Sequence, residues 1–200
     1  LNKRVLTAII LFPLSIFFII KGGSYIVSFL YAVLILANFE AFSVFKRKIS
    51  IIFLDSVLVI SLLSILYLRN DTISSYVLLI WIIILTILSD IGGYFFGKFF
   101  KWKKLTKLSP KKTVSGVLGS FIFALLSVFI LGEIVEQVSG LDSQSFIKPK
   151  YFILAIIFSL VAQIGDLIVS YLKRLEKIKD TGKILPGHGG IFDRIDGLMF

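Results

Sequence analysis

The sequence contains no cysteine and a single histidine, and only 17% of its residues are charged. The absence of cysteine excludes disulfides and thiolate metal sites. The scarcity of charge is matched by 57% hydrophobic residues and a mean hydropathy of +0.96. A soluble domain of 200 residues has no core large enough to bury so much apolar surface. The chain is therefore predicted to use lipid as its solvent.

Acidic residues are also few: the sequence has 12 Asp and Glu but 22 Lys and Arg, which gives a net charge of +10. In a soluble protein this balance favours nucleic acid as a partner, but no aromatic-basic soluble module is present. We therefore expect no nucleic-acid binding. In a membrane protein such a balance is typical of cytoplasmic loops and of anionic lipid or phosphate partners.

Six apolar runs are long enough to be considered as membrane spans, although the first is short: 5–21, 24–45, 49–68, 75–97, 115–136 and 151–171. An open sheet is not viable in lipid, so the runs are predicted to be helices. No small-x-small cleavage site follows the first run, which is therefore interpreted as a retained helix. The predicted fold is an all-α, polytopic membrane bundle of six spans plus the start of a seventh at residues 197–200. Residues 1–70 are expected to form an N-terminal three-helix membrane region, and residues 71–200 a catalytic membrane region.

The basic residues divide unevenly between the two ends of these spans. With a cytoplasmic N-terminus, all but four of the 22 cations fall on the cytoplasmic side, the exceptions being Lys21, Arg69, Lys148 and Lys150. This asymmetry predicts the orientation through the positive-inside rule. We expect a multi-pass protein of the inner (plasma) membrane whose C-terminal polar segment faces the cytoplasm.

Four carboxylates fall within or at the edge of the spans, where a charge costs several kcal/mol: Glu40, Asp55, Asp90 and Asp166. Asp55 is interpreted as interfacial. Glu40 either pairs with the basic cluster at residues 46–48 or faces a polar cavity. Asp90 lies beside glycines that are typical of close helix packing, yet a carboxylate at such a seam favours function. Asp166 has polar neighbours and is also assigned a functional role.

Asp193 and Asp196 are three residues apart, so on a helix they share a face. Carboxylates that meet at one point form a hard-oxygen site for Mg²⁺, which substrate phosphates complete. Asp166, at the end of another helix, is a candidate for the facing ligand. The alternative is a solvated helix face.

A short glycine-rich turn, residues 186–190, precedes this pair and contains His188. Exposed N–H groups of such turns bind phosphate, and the histidine is suited to donate to phosphate or to carry a proton. The alternative is a tight turn into the next helix, with His188 as a cap. In the other basic loop, Lys111 and Lys112 stand at a predicted helix start, where they suit phosphate or act only as a topology signal.

Together these features favour metal-assisted phosphoryl or nucleotidyl transfer to a lipid substrate. The sequence also carries a long pattern that joins them. It runs from Ser170, Leu172, Lys173 and Arg174 through Lys179, Asp180 and Gly182 to Leu185, Pro186, His188, Gly189, Gly190, Ile191, Asp193, Arg194, Ile195 and Asp196. This pattern resembles the signature of the CDP-diacylglycerol synthase (phosphatidate cytidylyltransferase) family. The segments 90–94 and 109–113 resemble upstream motifs of the same family.

The resemblance implies that CTP and phosphatidic acid react to CDP-diacylglycerol and pyrophosphate in the bilayer. It implies Mg²⁺ as the cofactor, with K⁺ as a second cation, and a homodimer is left open. Asp166 and Asp193 are then the metal ligands and, with their neighbours, the catalytic residues: Asp166, Asp193, Asp196, Lys173, Arg174 and His188. The implied substrate-binding residues are Lys111, Lys112, Lys179, Asp180, Arg194 and Asp90.

One departure and two alternatives accompany this hypothesis. Family members usually continue through a full helix after Asp196, whereas four residues follow here. The expectation is that either the gene product is naturally short or the chain is incomplete, and in the second case the missing helix would leave Asp193 poorly held. A lipid or polyprenol kinase would use a nucleotide γ-phosphate instead. A cation-coupled transporter would place Asp90 and Asp166 at an ion site near the bilayer midplane. A CDP-alcohol phosphotransferase is disfavoured because its D-G-x-x-A-R array is absent.

Overall fold

The chain folds into long helices that follow the apolar runs. The computed structural model describes residues 3–69, 73–106, 109, 112–139, 147–182, 184–185, 187 and 189–200. Within these residues the elements are α1 (Lys3–Lys21), α2 (Gly23–Val44), α3 (Lys48–Arg69), α4 (Ile73–Phe100), α5 (Val114–Ser139), α6 (Pro149–Leu175) and α7 (Phe192–Ile195). The described part of the chain contains no strand, only the isolated bridges Lys104–Thr113 and Leu185–Gly189. The all-α fold class is confirmed.

In the described part of the chain, five helices, α2 to α6, are long and apolar enough to cross a membrane by length and composition. The apolar part of α1, Ile9–Lys21, is shorter, as the short first run predicts. The helices extend a few residues past the apolar runs because helix formation continues into polar flanks that need not lie in lipid. The chain is a multi-pass membrane protein.

One compact unit consists of Leu1–Arg69 together with Val169–Phe200. Its buried core draws on α2, α3, the end of α6 and the C-terminal segment: Ala37, Ala41, Phe45, Ile51, Leu54, Leu58, Val169, Ile191, Phe192 and Met199. At one edge the Arg69 guanidinium donates to the carbonyls of Ile19 (2.7 Å) and Ile20 (2.9 Å). These bonds cap the free carbonyls at the end of α1 and tie it to the end of α3.

The second compact unit is Asn70–Ile168, in which α4 and α5 pack closely. A Cβ atom at Gly92 would overlap the Gly119 carbonyl oxygen, and a Cβ at Gly119 would overlap that of Gly92. Ser120 Oγ donates to the Ser89 carbonyl across the same seam at 2.8 Å. The glycines after Asp90 therefore allow helix packing, as small residues do in membranes. This packing explains the glycines but not Asp90, whose role depends on what its carboxylate contacts.

A seventh helix begins at Phe192, earlier than the position predicted from the apolar residues 197–200. The N–H groups of Leu198 and Met199 bind the Ile195 carbonyl at 2.9 and 2.8 Å, which makes a turn after α7. Met199 is only 5% exposed and belongs to the core of its unit. Residues 197–200 therefore do not begin a helix, and Met199 is apolar because it is buried.

The division expected at residue 70 coincides with one junction between the two units, but residues 169–200 group with the N-terminal helices. The boundary between the units falls within α6. This grouping does not show which part of the chain is catalytic. The division into an N-terminal region and a catalytic region therefore stays a prediction.

Candidate active site

Asp193 lies on the first turn of α7 and is held by three donors. Its Oδ1 accepts from Lys173 Nζ at 2.8 Å, and its Oδ2 accepts from the N–H groups of Thr181 (2.8 Å) and Gly190 (3.0 Å). The side chains of Asp193 and Lys173 are only 8% and 10% exposed. The expectation that Asp193 would be poorly held is therefore wrong, because Lys173 of α6 and two N–H groups of the loop before α7 supply the donors.

The electrostatics of this pair favour the ionised carboxylate. Burial raises the pKa of the Asp193 carboxyl. The hydrogen bonds from Lys173, Gly190 and Thr181, together with the Lys173 charge, lower the pKa by more, so it lies below its ordinary value of 3.8. Asp193 is thus an anion at neutral pH, which is the state that a metal ligand requires.

The glycine-rich turn folds back on itself before α7. The Leu185 N–H binds the Gly189 carbonyl at 3.0 Å, and Gly189 has φ +90°. A Cβ on Gly189 would also lie 2.8 Å from Asp193 Oδ2, so a glycine is needed both for the backbone conformation and for this contact. The Gly190 N–H is directed at Asp193 and not at an open phosphate site. These contacts favour the tight turn into the next helix; His188 lies outside the described residues.

The remaining charged signature residues lie in the last turn of α6, on the loop that follows it and around α7. Arg174 Nη1 donates to the Ile178 carbonyl at 2.8 Å and is exposed, as are Lys179 and Asp180. Arg194 is exposed as well. These cations are accessible to an anionic ligand.

Asp196 follows α7 in helical backbone conformation, and its Oδ1 accepts from the Gly197 N–H at 3.0 Å. It lies one turn after Asp193, as the predicted helical spacing requires. Its role as a catalytic residue stays a prediction.

Glu40 is a second carboxylate bound by this loop, and the signature pattern did not include it as a site residue. It is fully buried on α2 and accepts from the Thr181 hydroxyl and from the N–H groups of Ile191 (2.7 Å) and Phe192 (3.2 Å). It therefore neither pairs with the basic cluster at 46–48 nor faces a cavity. The sequence indicated Glu40 only as a charged residue in an apolar helix, and that does not show which hydrogen-bond donors its carboxylate contacts.

In the second unit, Lys112 contacts Asp166, another of the predicted site residues. Its Nζ forms an ion pair with Asp166 Oδ2 at 2.6 Å and donates to the Gln163 carbonyl at 3.1 Å. The charges of Asp166 and Lys112 both act on the Asp90 carboxyl. Asp90, Lys112 and Asp166 are thus grouped, on three different segments of the chain.

Lys112 reaches this position because the basic loop pairs its two ends. The Leu105 N–H binds the Lys112 carbonyl at 2.8 Å, and the Val114 N–H binds the Lys103 carbonyl at 3.0 Å. Thr113 Oγ1 then accepts from the Gly116 N–H at 3.1 Å, which caps the start of α5. Lys111 lies outside the described residues, so its predicted phosphate contact stays a prediction.

The donor set fits Mg²⁺ in its chemistry, since ionised carboxylates are ligands that this ion prefers. Among the described residues no group of three or more acidic or histidine side chains could hold a metal. A magnesium site here would thus take one or two carboxylates from the protein and the rest from phosphates and water. Asp166 and Asp193 belong to different units, and their convergence stays a prediction.

Comparison with known proteins decides the family. The sequence profile of the cytidylyltransferase family matches residues 43–200, well over half of the chain. The chain belongs to the cytidylyltransferase family. A phosphatidate cytidylyltransferase of Rickettsia felis is 36% identical over 98% of this chain and 86% of that protein.

Two other cytidylyltransferases match over a shorter part. The phosphatidate cytidylyltransferase of Helicobacter pylori strain 26695 is 41% identical over 62% of this chain and 44% of that protein. That of Bacillus subtilis is 43% identical over 56% of this chain and 39% of that protein. The matched part of this chain thus spans less than half of either relative. The family profile includes both groups of charged residues around Asp166 and Asp193, whereas Glu40 lies just before it.

Proposed function

We propose that this chain catalyses cytidylyl transfer from CTP to phosphatidic acid, as a step of phospholipid synthesis. The observation that carries the proposal is the grouping of carboxylates with lysines, Asp193 with Lys173 and Asp166 with Lys112, inside the region that matches the cytidylyltransferase family. The Rickettsia felis relative, which is matched over 86% of its length, bears the name of this activity.

In the proposed reaction a phosphate oxygen of phosphatidic acid attacks the α-phosphorus of CTP. A new P–O bond forms, the bond between the α-phosphorus and its bridging oxygen to the β-phosphate breaks, and pyrophosphate leaves with that electron pair. No group on the protein needs to form a covalent intermediate. The protein therefore acts by positioning the substrates and neutralising their charge.

Asp166 and Asp193 would hold Mg²⁺, with K⁺ as a second cation, and the bound metal supplies charge neutralisation for the phosphates. Lys173 keeps Asp193 ionised and oriented. Lys112 forms an ion pair with Asp166 and so orients its carboxylate, and the Lys112 charge also acts on the Asp90 carboxyl. The exposed Arg174, Lys179 and Arg194 bind substrate phosphates, and Asp180 and Asp90 contribute to the substrate site.

The substrates are an amphiphile in the bilayer and a cytoplasmic nucleotide. The proposed orientation in the inner membrane, with both basic loops in the cytoplasm, supports access for both. Anionic phosphatidate would also be attracted by these loops.

The test is an assay of membranes that contain the protein, with CTP labelled in the α-phosphate, phosphatidate and Mg²⁺. We expect labelled CDP-diacylglycerol and one pyrophosphate per product. Asp193→Asn and Asp166→Asn should each lower the rate by at least about 100-fold, because several kcal/mol of charge stabilisation depend on the metal. Glu133→Gln, at an exposed carboxylate of α5, is the matched control and should keep the wild-type rate.

Full activity of the two aspartate variants would refute the metal assignment. Release of a nucleoside diphosphate in place of pyrophosphate would indicate a kinase. Ion flux in liposomes without turnover of CTP would indicate a transporter.

A further inference from the structure

The carboxylate of Glu40 is enclosed by the loop between α6 and α7 and by the start of α7, the helix that carries Asp193. It is fully buried, and its donors all come from residues 181–192. Oε1 accepts from the Thr181 hydroxyl and the Phe192 N–H, and Oε2 accepts from the Ile191 N–H at 2.7 Å. Both oxygens are thus used, and hydrogen bonds to a buried charge are among the strongest in proteins.

The loop leaves no space around this carboxylate. A Cβ atom at Gly190 would overlap both Glu40 Oε1 and the Thr181 hydroxyl, and a Cβ at Gly182 would lie 2.9 Å from Glu40 Oε2. Two glycines of the loop therefore stand where the Glu40 side chain passes. Their lack of a side chain is explained by this contact, without any contact to a phosphate.

The same loop residues that hold Glu40 also hold Asp193. Thr181 donates its hydroxyl to Glu40 and its N–H to Asp193 at 2.8 Å. Gly190 donates its N–H to Asp193 at 3.0 Å, and the next two N–H groups along the chain bind Glu40. The two carboxylates are therefore bound by the same segments of the chain, at residue 181 and at residues 190–192. By binding these segments, Glu40 fixes the N–H groups that orient Asp193.

We propose that Glu40 is a positioning residue for the metal-binding carboxylate of Asp193; this rests on the proposed cytidylyl transfer. α7 has no side-chain cap of its own, and Glu40 supplies acceptors for the N–H groups at its start. Residues that orient a metal ligand in this way alter metal affinity or activity about 10–100-fold when they are changed.

The decisive variant is Glu40→Gln, which keeps the size of the side chain. Its amide has one acceptor oxygen and a donor NH₂ group, so one of the loop donors would face another donor. We expect the Mg²⁺ concentration for half-maximal activity to rise by about tenfold or more. Mn²⁺ binding to the detergent-solubilised protein, followed by electron paramagnetic resonance, should weaken in parallel.

Hydrogen exchange of the peptide that covers residues 177–195 measures how firmly these backbone N–H groups are held, and it does not require enzyme turnover. We expect faster exchange in Glu40→Gln. Thr181→Val, which removes one donor to Glu40 and keeps the backbone N–H, should shift metal dependence in the same direction by less. It also provides the test if Glu40→Gln does not fold.

Leu58→Ala is the control for loss of stability alone, because Leu58 is fully buried in the same core. It should lower the melting temperature and leave the metal dependence of the folded protein unchanged. Unchanged exchange and unchanged Mn²⁺ binding in the Glu40 and Thr181 variants would overturn the proposal, as would an equal shift in Leu58→Ala. Wild-type protein that binds Mn²⁺ but forms no CDP-diacylglycerol would instead refute the proposed function alone.

Discussion

At the scale of single residues, the pair Lys173–Asp193 shows how a buried charge is maintained beside a membrane. Each side chain is at most 10% exposed, so neither charge is well solvated by water. A buried pair adds little net stability, yet the loss of one partner is costly because the other charge stays behind. The pair therefore serves to keep Asp193 ionised and in place.

Lys173→Met should lower the free energy of unfolding by about 3 kcal/mol at neutral pH, because it leaves the Asp193 charge buried without its partner. Reversible unfolding in mixed detergent micelles measures this. Lys179→Met removes the same charge from an exposed position on the loop that follows α6, and it should change stability by about 0.5 kcal/mol or less. Similar losses for both variants would contradict the buried-pair interpretation.

The difference between wild type and Lys173→Met should also depend on pH. The folded-state pKa of Asp193 is lowered from 3.8, so the stabilisation is present above the unfolded value. It is lost as the pH falls through the folded pKa, below 3.8. The advantage of the wild type should be constant between about pH 5 and 8 and shrink below that range. If the difference in unfolding free energy between wild type and Lys173→Met did not decrease in acid, ionisation of Asp193 would not be its cause.

At the scale of elements, the seam between α4 and α5 follows directly after Asp90 on α4. Backbone contact at Gly92 and Gly119 lets Ser120 reach the Ser89 carbonyl, and Ser89 and Ser159 hydroxyls lie 2.7 Å apart. Trp81 Nε1 donates to Ser127 Oγ at 3.0 Å further along the same helices. Polar bonds and small residues thus hold these helices where lipid offers no hydrophobic driving force.

Gly119→Val should destabilise this unit by about 2 kcal/mol, because the new side chain meets the Gly92 backbone, which cannot rotate away. The melting temperature in detergent measures this. The neighbouring Leu118→Val, at a position 45% exposed, is the control and should have little effect. Equal stability of Gly119→Val and the wild type would mean that the helices are not in this close contact.

At the scale of the whole molecule, the distribution of lysine and arginine should set the orientation. Nearly all of these residues lie on the side predicted to be cytoplasmic, and the natural absence of cysteine allows labelling at single sites. The oligomeric state is not set by this distribution, and the homodimer stays open.

Lys103→Cys and Lys148→Cys should report opposite sides of the membrane, since both positions are exposed and lie in connections at opposite ends of α5. In intact cells a membrane-impermeant maleimide should label only Lys148→Cys. Labelling of Lys103→Cys should require permeabilised membranes. The reverse pattern would refute the proposed cytoplasmic site.

The helices and the family could be predicted from the sequence because both depend on local patterns. Apolar runs of about 20 residues report spans directly, and the signature between Ser170 and Asp196 has a fixed spacing. The sequence also identified Asp193 and Lys173, but their pairing was not predicted. The start of α7 was predicted too late, since an apolar segment is equally consistent with a helix or with burial.

By itself, therefore, the sequence determined a multi-pass helical protein of the cytidylyltransferase family and most of its candidate charged residues. Only the tertiary structure decided which charges meet. Glu40 and Thr181 are 141 positions apart, and Lys112 and Gln163 are 51 apart, so no local periodicity relates them. A buried carboxylate must find donors somewhere in the fold, and the donors it finds depend on how the distant segments pack.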